Sequence, residues 1–155
     1  MKRLAAILVL LCGCAVAQSA PKPAVPTTTG AAATAETFSD AVANDLLLQV
    51  AGGMEGRNSR QMLGAFDPKL ENYNAFVNQI QAWFRDNGSF RAYYKLRQAS
   101  VDDGRGVALV DFEYEVTPRE EDTPPVRRHA QMRFTFERGA KGWKIVDFSP
   151  RGFFS

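Results

Sequence analysis

The spacing of apolar residues changes near residue 87: they recur about every fourth residue before that point and every second residue after it. A period near four places side chains on one face of an α-helix, whereas a period of two places them on one face of a β-strand. The chain is therefore predicted to form helices first and an antiparallel sheet afterwards. Helices packed on one face of such a sheet define the α+β class.

Two helices are predicted before residue 67. The first begins at Glu36 and should loosen or end at Gly52 and Gly53, because glycine is a poor helix former. The second is short and follows a cap at Asn58 or Ser59. The apolar face of the first helix consists of Phe38, Val42, Leu46 and Val50.

A third helix is predicted over residues 72–85. Its apolar face consists of Phe76, Ile80, Trp83 and Phe84. The Asn87-Gly88 pair that follows should end this helix with a residue at positive φ, as asparagine and glycine commonly do.

Four strands are predicted after the helices. A turn at Asp102–Gly106 separates the first two strands, a loop at 118–126 follows the second, and the last strand spans 143–148. We therefore expect a curved four-stranded antiparallel sheet in which neighbouring strands are also neighbours in sequence. Its apolar face includes Phe90, Ala92, Tyr94, Leu96, Ala108, Val110, Phe112, Tyr114, Val116, Ala130, Met132, Phe134 and Phe136.

The first residues have the composition of an export leader. Lys2 and Arg3 are followed by an apolar run at 4–11 and then by small residues. This run is too short to span a bilayer as a permanent helix. The protein is therefore predicted to be exported, to the periplasm or beyond the cell.

Two processing sites compete in that leader. Small residues before Gln18 fit cleavage after residue 17, which makes 1–17 a signal peptide. The sequence around Cys14 resembles a lipobox, which would make 1–13 a lipoprotein leader and anchor an acylated Cys14 in the envelope. In either case residues 18–35, rich in proline, alanine and threonine, are predicted to be a flexible linker to a domain at 36–155.

Cysteine and histidine usage excludes several chemistries. Both cysteines, Cys12 and Cys14, lie in or beside the leader, so the domain has no disulfide, thiol nucleophile or thiolate ligand. His129 is the only histidine, which leaves no histidine-rich metal site. No glycine-rich phosphate loop or dinucleotide fingerprint is present. We therefore predict neither a metal nor a cofactor.

The charge balance argues against nucleic acid as a partner. The chain carries 19 basic and 17 acidic residues, and the two extra positive charges, Lys2 and Arg3, belong to the leader. A domain without net positive charge has no overall attraction for phosphate backbones or anionic lipid. We expect contact with a membrane only if Cys14 is acylated.

The order of elements, together with the closing sequence Gly142-Trp143-Lys144-Ile145, resembles the nuclear transport factor 2-like superfamily. This group includes SnoaL-like cyclases, ketosteroid isomerase and small exported proteins. The resemblance implies a cone in which helices cover a bent sheet and leave a pocket at the open end. The residues expected to line that pocket are Trp83, Tyr94, Phe112, Tyr114, Met132 and Phe134.

The isomerase branch of this superfamily needs a carboxylate base inside the cone. Here Asp111, Glu113 and Glu115 alternate with the inward residues, so they are predicted to lie on the opposite, solvated face. They are expected to form cross-strand pairs with Arg97, Lys95 and Arg133. No catalytic residue is predicted on these grounds.

The leading hypothesis is an exported, non-catalytic module of the envelope. It would bind a small apolar ligand in its pocket or pair with a protein, including a second copy, through the sheet face. One alternative is a SnoaL-like or isomerase-like enzyme for a small apolar substrate, using Tyr94, Tyr114 and, if a bulge turned it inward, Asp111. The other alternative is a purely structural homodimer.

Overall fold

A computed structural model describes residues 37–155; the leader, Cys14 and the whole linker at 18–35 lie outside the described residues. Three α-helices precede four β-strands, which confirms the predicted α+β class. The elements are α1 (Asp40–Glu55), α2 (Ser59–Leu63), α3 (Tyr73–Asp86), β1 (Asn87–Asp102), β2 (Arg105–Pro118), β3 (Val126–Gly139), β4 (Gly142–Ser149) and a 3-10 turn (Arg151–Phe153).

The glycine pair in α1 does not end the helix, so that prediction is wrong. The helix continues to Glu55. A Cβ atom on Gly53 would lie 2.4 Å from the backbone nitrogen of Met62. The missing side chain therefore permits the close approach of α2, and tertiary packing outweighs the low helix propensity of glycine.

The start of α1 also differs from the prediction. The helix begins at Asp40, and Ser39 caps it by accepting a 3.4 Å hydrogen bond from the Val42 amide. Phe38 precedes this cap and packs beside Phe136, with ring centroids 4.9 Å apart. The residue belongs to the core, although it lies outside the helix.

The transition from α3 to the sheet is tighter than predicted. Asn87 has φ −116° and ψ 145°, which is extended backbone, so the expected positive φ is wrong. The strand β1 begins at Asn87 itself, and the side-chain amide of Asn87 donates to the Trp83 carbonyl at 2.7 Å. This hydrogen bond satisfies one of the last helical carbonyls without a turn.

The four strands form one antiparallel sheet in the order β1-β2-β3-β4, as predicted. The β1–β2 turn places Asp103 and Gly104 at positive φ, which matches the predicted turn signal. The register of β1 shifts between Leu96 and Gln98. Such a bulge increases the local twist and bends the sheet over the helices.

The inner sheet face and the helices bury one continuous core. The alternation of buried residues along β2 and β3 follows the predicted apolar face. Phe153 and Phe154, which follow β4, are also buried. None of the helices within residues 37–155 is both long enough and apolar enough to cross a membrane.

Candidate functional site

The interior of the cone holds most of the residues predicted to line a pocket. Phe112, Tyr114, Met132 and Phe134 are at most 1% exposed. Trp83 is partly buried and packs edge-to-face against Tyr114, with ring centroids 5.1 Å apart. In this closed arrangement the aromatic rings of the interior contact one another.

The segment 150–155 fills the space between α3 and the sheet. The Phe153 ring lies 5.7 Å from Phe112 and 5.0 Å from Tyr114. The Phe154 ring lies 5.8 Å from Phe112 and 5.5 Å from Phe148. Two rings from one short segment therefore occupy the position at which the resemblance implies a pocket.

Three side chains hold this segment by its backbone carbonyls. The Tyr114 hydroxyl donates to Phe153 at 2.8 Å, and the Gln79 amide donates to Phe154 at 2.7 Å. At the exposed end, an Arg128 guanidinium nitrogen lies 3.1 Å from the Gly152 carbonyl oxygen. Burial raises the pKa of Tyr114, so the phenol keeps the proton that it donates.

Tyr94 sits at the edge of the sheet beside α1. Its hydroxyl donates to the Asn44 carbonyl at 3.3 Å, and its ring stacks 6.2 Å from Phe112. Desolvation raises the pKa of Tyr94, with a smaller contribution from the negative charge of Asp45. This hydroxyl therefore links the helix to the sheet as a neutral donor.

Asp111 lies on the outer face of the sheet, opposite the aromatic interior. Arg97 donates through Nε to one of its carboxylate oxygens at 2.6 Å. That hydrogen bond is the largest cause of a lowered Asp111 pKa. The carboxylate is thus a charged surface group, and the bulge after Leu96 does not turn it inward.

Further ion pairs cross the outer face. Arg127 lies 2.9 Å from Glu113, and Arg91 lies 3.6 Å from Glu115. Arg133, which the sequence places among these pairs, contacts an aspartate at the β1–β2 turn instead. All of these groups are partly or fully exposed, so each pair contributes little to stability on its own.

Two shallow concavities mark the same face. One, of about 360 Å³, is lined by Gln98, Ser100, Val101, Asp102, Val107, Leu109 and Arg133. The other, of about 190 Å³, is lined by Tyr93, Tyr94, Lys95, Asp111, Glu113 and His129. The concavity near the β1–β2 turn therefore mixes apolar and polar side chains, whereas the one near the middle of the strands is lined mainly by tyrosine and charged side chains.

The described domain buries no acidic, basic or histidine side chain. Among residues 37–155, none of the buried residues is polar or charged. The same part of the chain brings together no group of three His, Cys, Asp or Glu residues that could hold a metal ion. Chemistry that needs a desolvated carboxylate has no candidate in this arrangement.

Comparison with known proteins gives structural matches only. No protein-family model matches the sequence, and no curated protein matches it. Among solved structures, a candidate dehydratase of the nuclear transport factor 2-like family from Streptomyces avermitilis superposes with a TM-score of 0.57, at 9% identity, over 70% of this chain and 91% of that one. The chain has the nuclear transport factor 2-like fold.

Two further structures share this fold. A conserved protein from Planctomyces limnophilus superposes with a TM-score of 0.61, at 9% identity, over 70% of this chain and 91% of that one. A hexachlorocyclohexane dehydrochlorinase superposes with a TM-score of 0.56, at 15% identity, over 70% of this chain and 80% of that one. Likeness at such identities establishes the fold and leaves activity open.

Sequence reasoning missed two residues that hold the 150–155 segment. Gln79 lies on α3 among other polar residues, and Arg128 belongs to a charge-rich stretch that resembles a solvated loop. The residues that flank each of them in the sequence give no indication of its hydrogen-bond partner. Only the fold brings them to Phe154 and Gly152.

Proposed function

We propose that this protein is an exported, non-catalytic interaction module of the envelope, and that it pairs with a second copy through the outer face of its sheet. The observation that carries the proposal is the distribution of polar groups. The interior of the described domain is aromatic and closed, whereas the charged side chains lie in rows on the outer face. The leader sequence is the reason for proposing export.

The rows of charge are complementary to themselves. On β1, Arg91 and Lys95 stand opposite Glu115 and Asp111 of β2 in the strand register. Adjacent strands are about 4.8 Å apart. Suppose that the outer faces of two copies are opposed and related by a two-fold axis that runs parallel to the strands, midway between β1 and β2. This axis places β1 of one copy over β2 of the other, so that the basic row of one copy faces the acidic row of the other. Rotation about this axis does not change the position of a residue along the strand direction. Arg91 therefore faces Glu115 of the second copy.

Some neighbours of this fold carry enzyme names, including a dehydratase and a dehydrochlorinase. An activity of that kind needs a base that can reach a substrate in a water-excluded site. In this chain Asp111 is solvent-facing and bound to Arg97. The interaction module is therefore the better supported of the two functions.

A charge-swap experiment on the full chain tests the dimer. Arg91→Glu and Glu115→Arg alone each place like charges across the proposed interface, and we expect each variant to sediment as a monomer where the wild type sediments as a dimer. The double variant restores opposite charges and should restore the dimer. Added salt should weaken the wild-type dimer, because partly exposed pairs are screened.

The matched control is Arg60→Glu, an exposed arginine on α2 away from the sheet. It changes net charge as Arg91→Glu does and should leave the dimer intact. A wild type that is monomeric at all concentrations would refute the proposal. If both single variants still form dimers, the proposed position of the two-fold axis is wrong. The intact mass of protein from the host envelope separately reports whether the mature chain begins at Gln18 or at an acylated Cys14.

A further inference from the structure

We propose that the 150–155 segment is a displaceable intramolecular ligand, and that the cavity it fills is a binding site for an aromatic, peptide-like molecule. Such a ligand would present two apolar rings on a backbone that offers carbonyl oxygens. This inference is independent of the sheet-face dimer, because it concerns the opposite face of the sheet.

The contacts of this segment divide as they do between a ligand and its receptor. The domain supplies three donors, Tyr114, Gln79 and Arg128, to backbone carbonyls of the segment. Arg151 of the segment in turn pairs with Asp147 and Glu71 of the domain. The segment pairs with none of the four strands. Its own backbone hydrogen bond, from the Phe153 amide to the Pro150 carbonyl, is a weak one of 3.3 Å. Side chains from α3, β2 and β3 thus hold it in place of a sheet ladder.

The walls of the cavity pack on one another without the segment. Phe76 of α3 lies 5.4 Å from Phe148 of β4 and 5.0 Å from Phe66. Trp83 lies 5.1 Å from Tyr114 and 4.7 Å from Phe90. These ring contacts join α3 to β1, β2 and β4. The cavity should therefore persist when Phe153 and Phe154 leave it.

An open concavity adjoins the segment and offers a route of access. It has a volume of about 200 Å³ and is lined by Glu71, Asn72, Ala75, Phe76, Gln79, Phe148 and Arg151. Gln79 and Phe148 line both this concavity and the filled cavity. A ligand can thus contact the donor and one aromatic wall before the segment has fully withdrawn.

Competition with the segment sets the apparent affinity. A ligand binds only the fraction of molecules whose segment is withdrawn, so its apparent dissociation constant is the intrinsic value divided by that fraction. Any change that loosens the segment without altering the walls must therefore increase affinity. Phe154→Ala is such a change, because it removes one of the two rings that anchor the segment and leaves the three donors of the domain in place.

The experiment measures binding of a capped, fluorescently labelled peptide, Arg-Gly-Phe-Phe-Ser, to the full chain by anisotropy. The double variant Phe153→Ala/Phe154→Ala empties the cavity and should bind one peptide saturably, at least about 100-fold more tightly than the wild type. A peptide with both phenylalanines replaced by alanine should not bind. Phe154→Ala alone should bind several-fold more tightly than the wild type.

Arg127→Ala is the matched control, since Arg127 belongs to the outer face and pairs with Glu113. It should bind the peptide as weakly as the wild type does. If the double variant loses cooperative unfolding, the segment is an essential part of the core and the proposal is wrong. Equal affinities for Phe154→Ala and Arg127→Ala would overturn it as well. Sedimentation of Phe154→Ala distinguishes a free peptide ligand from exchange of the segment between two copies.

Discussion

Replacement of Gly53 by alanine tests whether close packing of α1 on α2 explains the uninterrupted first helix. A Cβ atom at this position would lie 2.4 Å from the Met62 backbone nitrogen and 2.7 Å from its Cα. Ordinary contact begins near 3.4 Å, so the two helices would have to separate by about 1 Å. Backbone atoms cannot rotate out of the way as a flexible side chain can.

Two opposing effects determine how much Gly53→Ala changes the free energy of unfolding. Alanine is favoured over glycine in a helix by about 1 kcal/mol. Overpacking of a tight contact costs about 1–3 kcal/mol, and a backbone obstacle places Gly53→Ala near the upper end. We therefore expect a net loss of about 2 kcal/mol in the free energy of unfolding. Gly52→Ala is the control, because its Cβ would meet only the flexible end of Gln61, at 3.0 Å.

Equilibrium urea unfolding followed by far-ultraviolet circular dichroism measures both variants. With a urea slope of about 1–2 kcal/mol per molar, the midpoint of Gly53→Ala should fall by about 1–2 M. The midpoint of Gly52→Ala should be unchanged or higher, because alanine can raise the free energy of unfolding by up to about 1 kcal/mol at a helical position. If Gly53→Ala were as stable as Gly52→Ala, close packing at Met62 would not be the reason that glycine is present.

Two further predictions follow from hydrogen-bonded groups. Because burial raises the pKa of Tyr114, its protonated form adds stability that is fully present below the usual tyrosine pKa of about 10 and is lost as pH rises through the higher folded-state value. The unfolding midpoint of Tyr114→Phe should therefore fall less than that of the wild type at alkaline pH, and an equal fall would contradict this. Asn58 caps α2 by accepting a 3.0 Å hydrogen bond from the Gln61 amide, so Asn58→Ala should lose about 1 kcal/mol by urea unfolding. Ser39→Ala, whose cap contact is 3.4 Å, should lose less.

Periodicity predicted most of the fold because it records which side chains face the core. The alternation along β2 matched the buried positions, and the Asp103-Gly104 turn matched its backbone angles. Each of these inferences used only residues close together in sequence.

The errors arose where distant residues decide the local structure. Gly53 is a helix breaker by propensity, but α2 needs its missing side chain. Asn87 is suited to positive φ, but its side chain instead bonds the Trp83 carbonyl while the backbone enters β1. The hydrogen bonds from Gln79 and Arg128 likewise join parts of the chain that no local pattern connects.

The contact between Phe38 and Gly106 links two positions far apart in the chain. A Cβ atom on Gly106 would lie 2.5 Å from the Phe38 ring, which packs on the strand at that point. The side chains at positions 38 and 106 therefore occupy one fixed volume of the core. A larger residue at one position requires a smaller residue at the other. Across evolution we expect these positions to covary: a relative with alanine at 106 should carry a smaller apolar residue, such as leucine or valine, at 38.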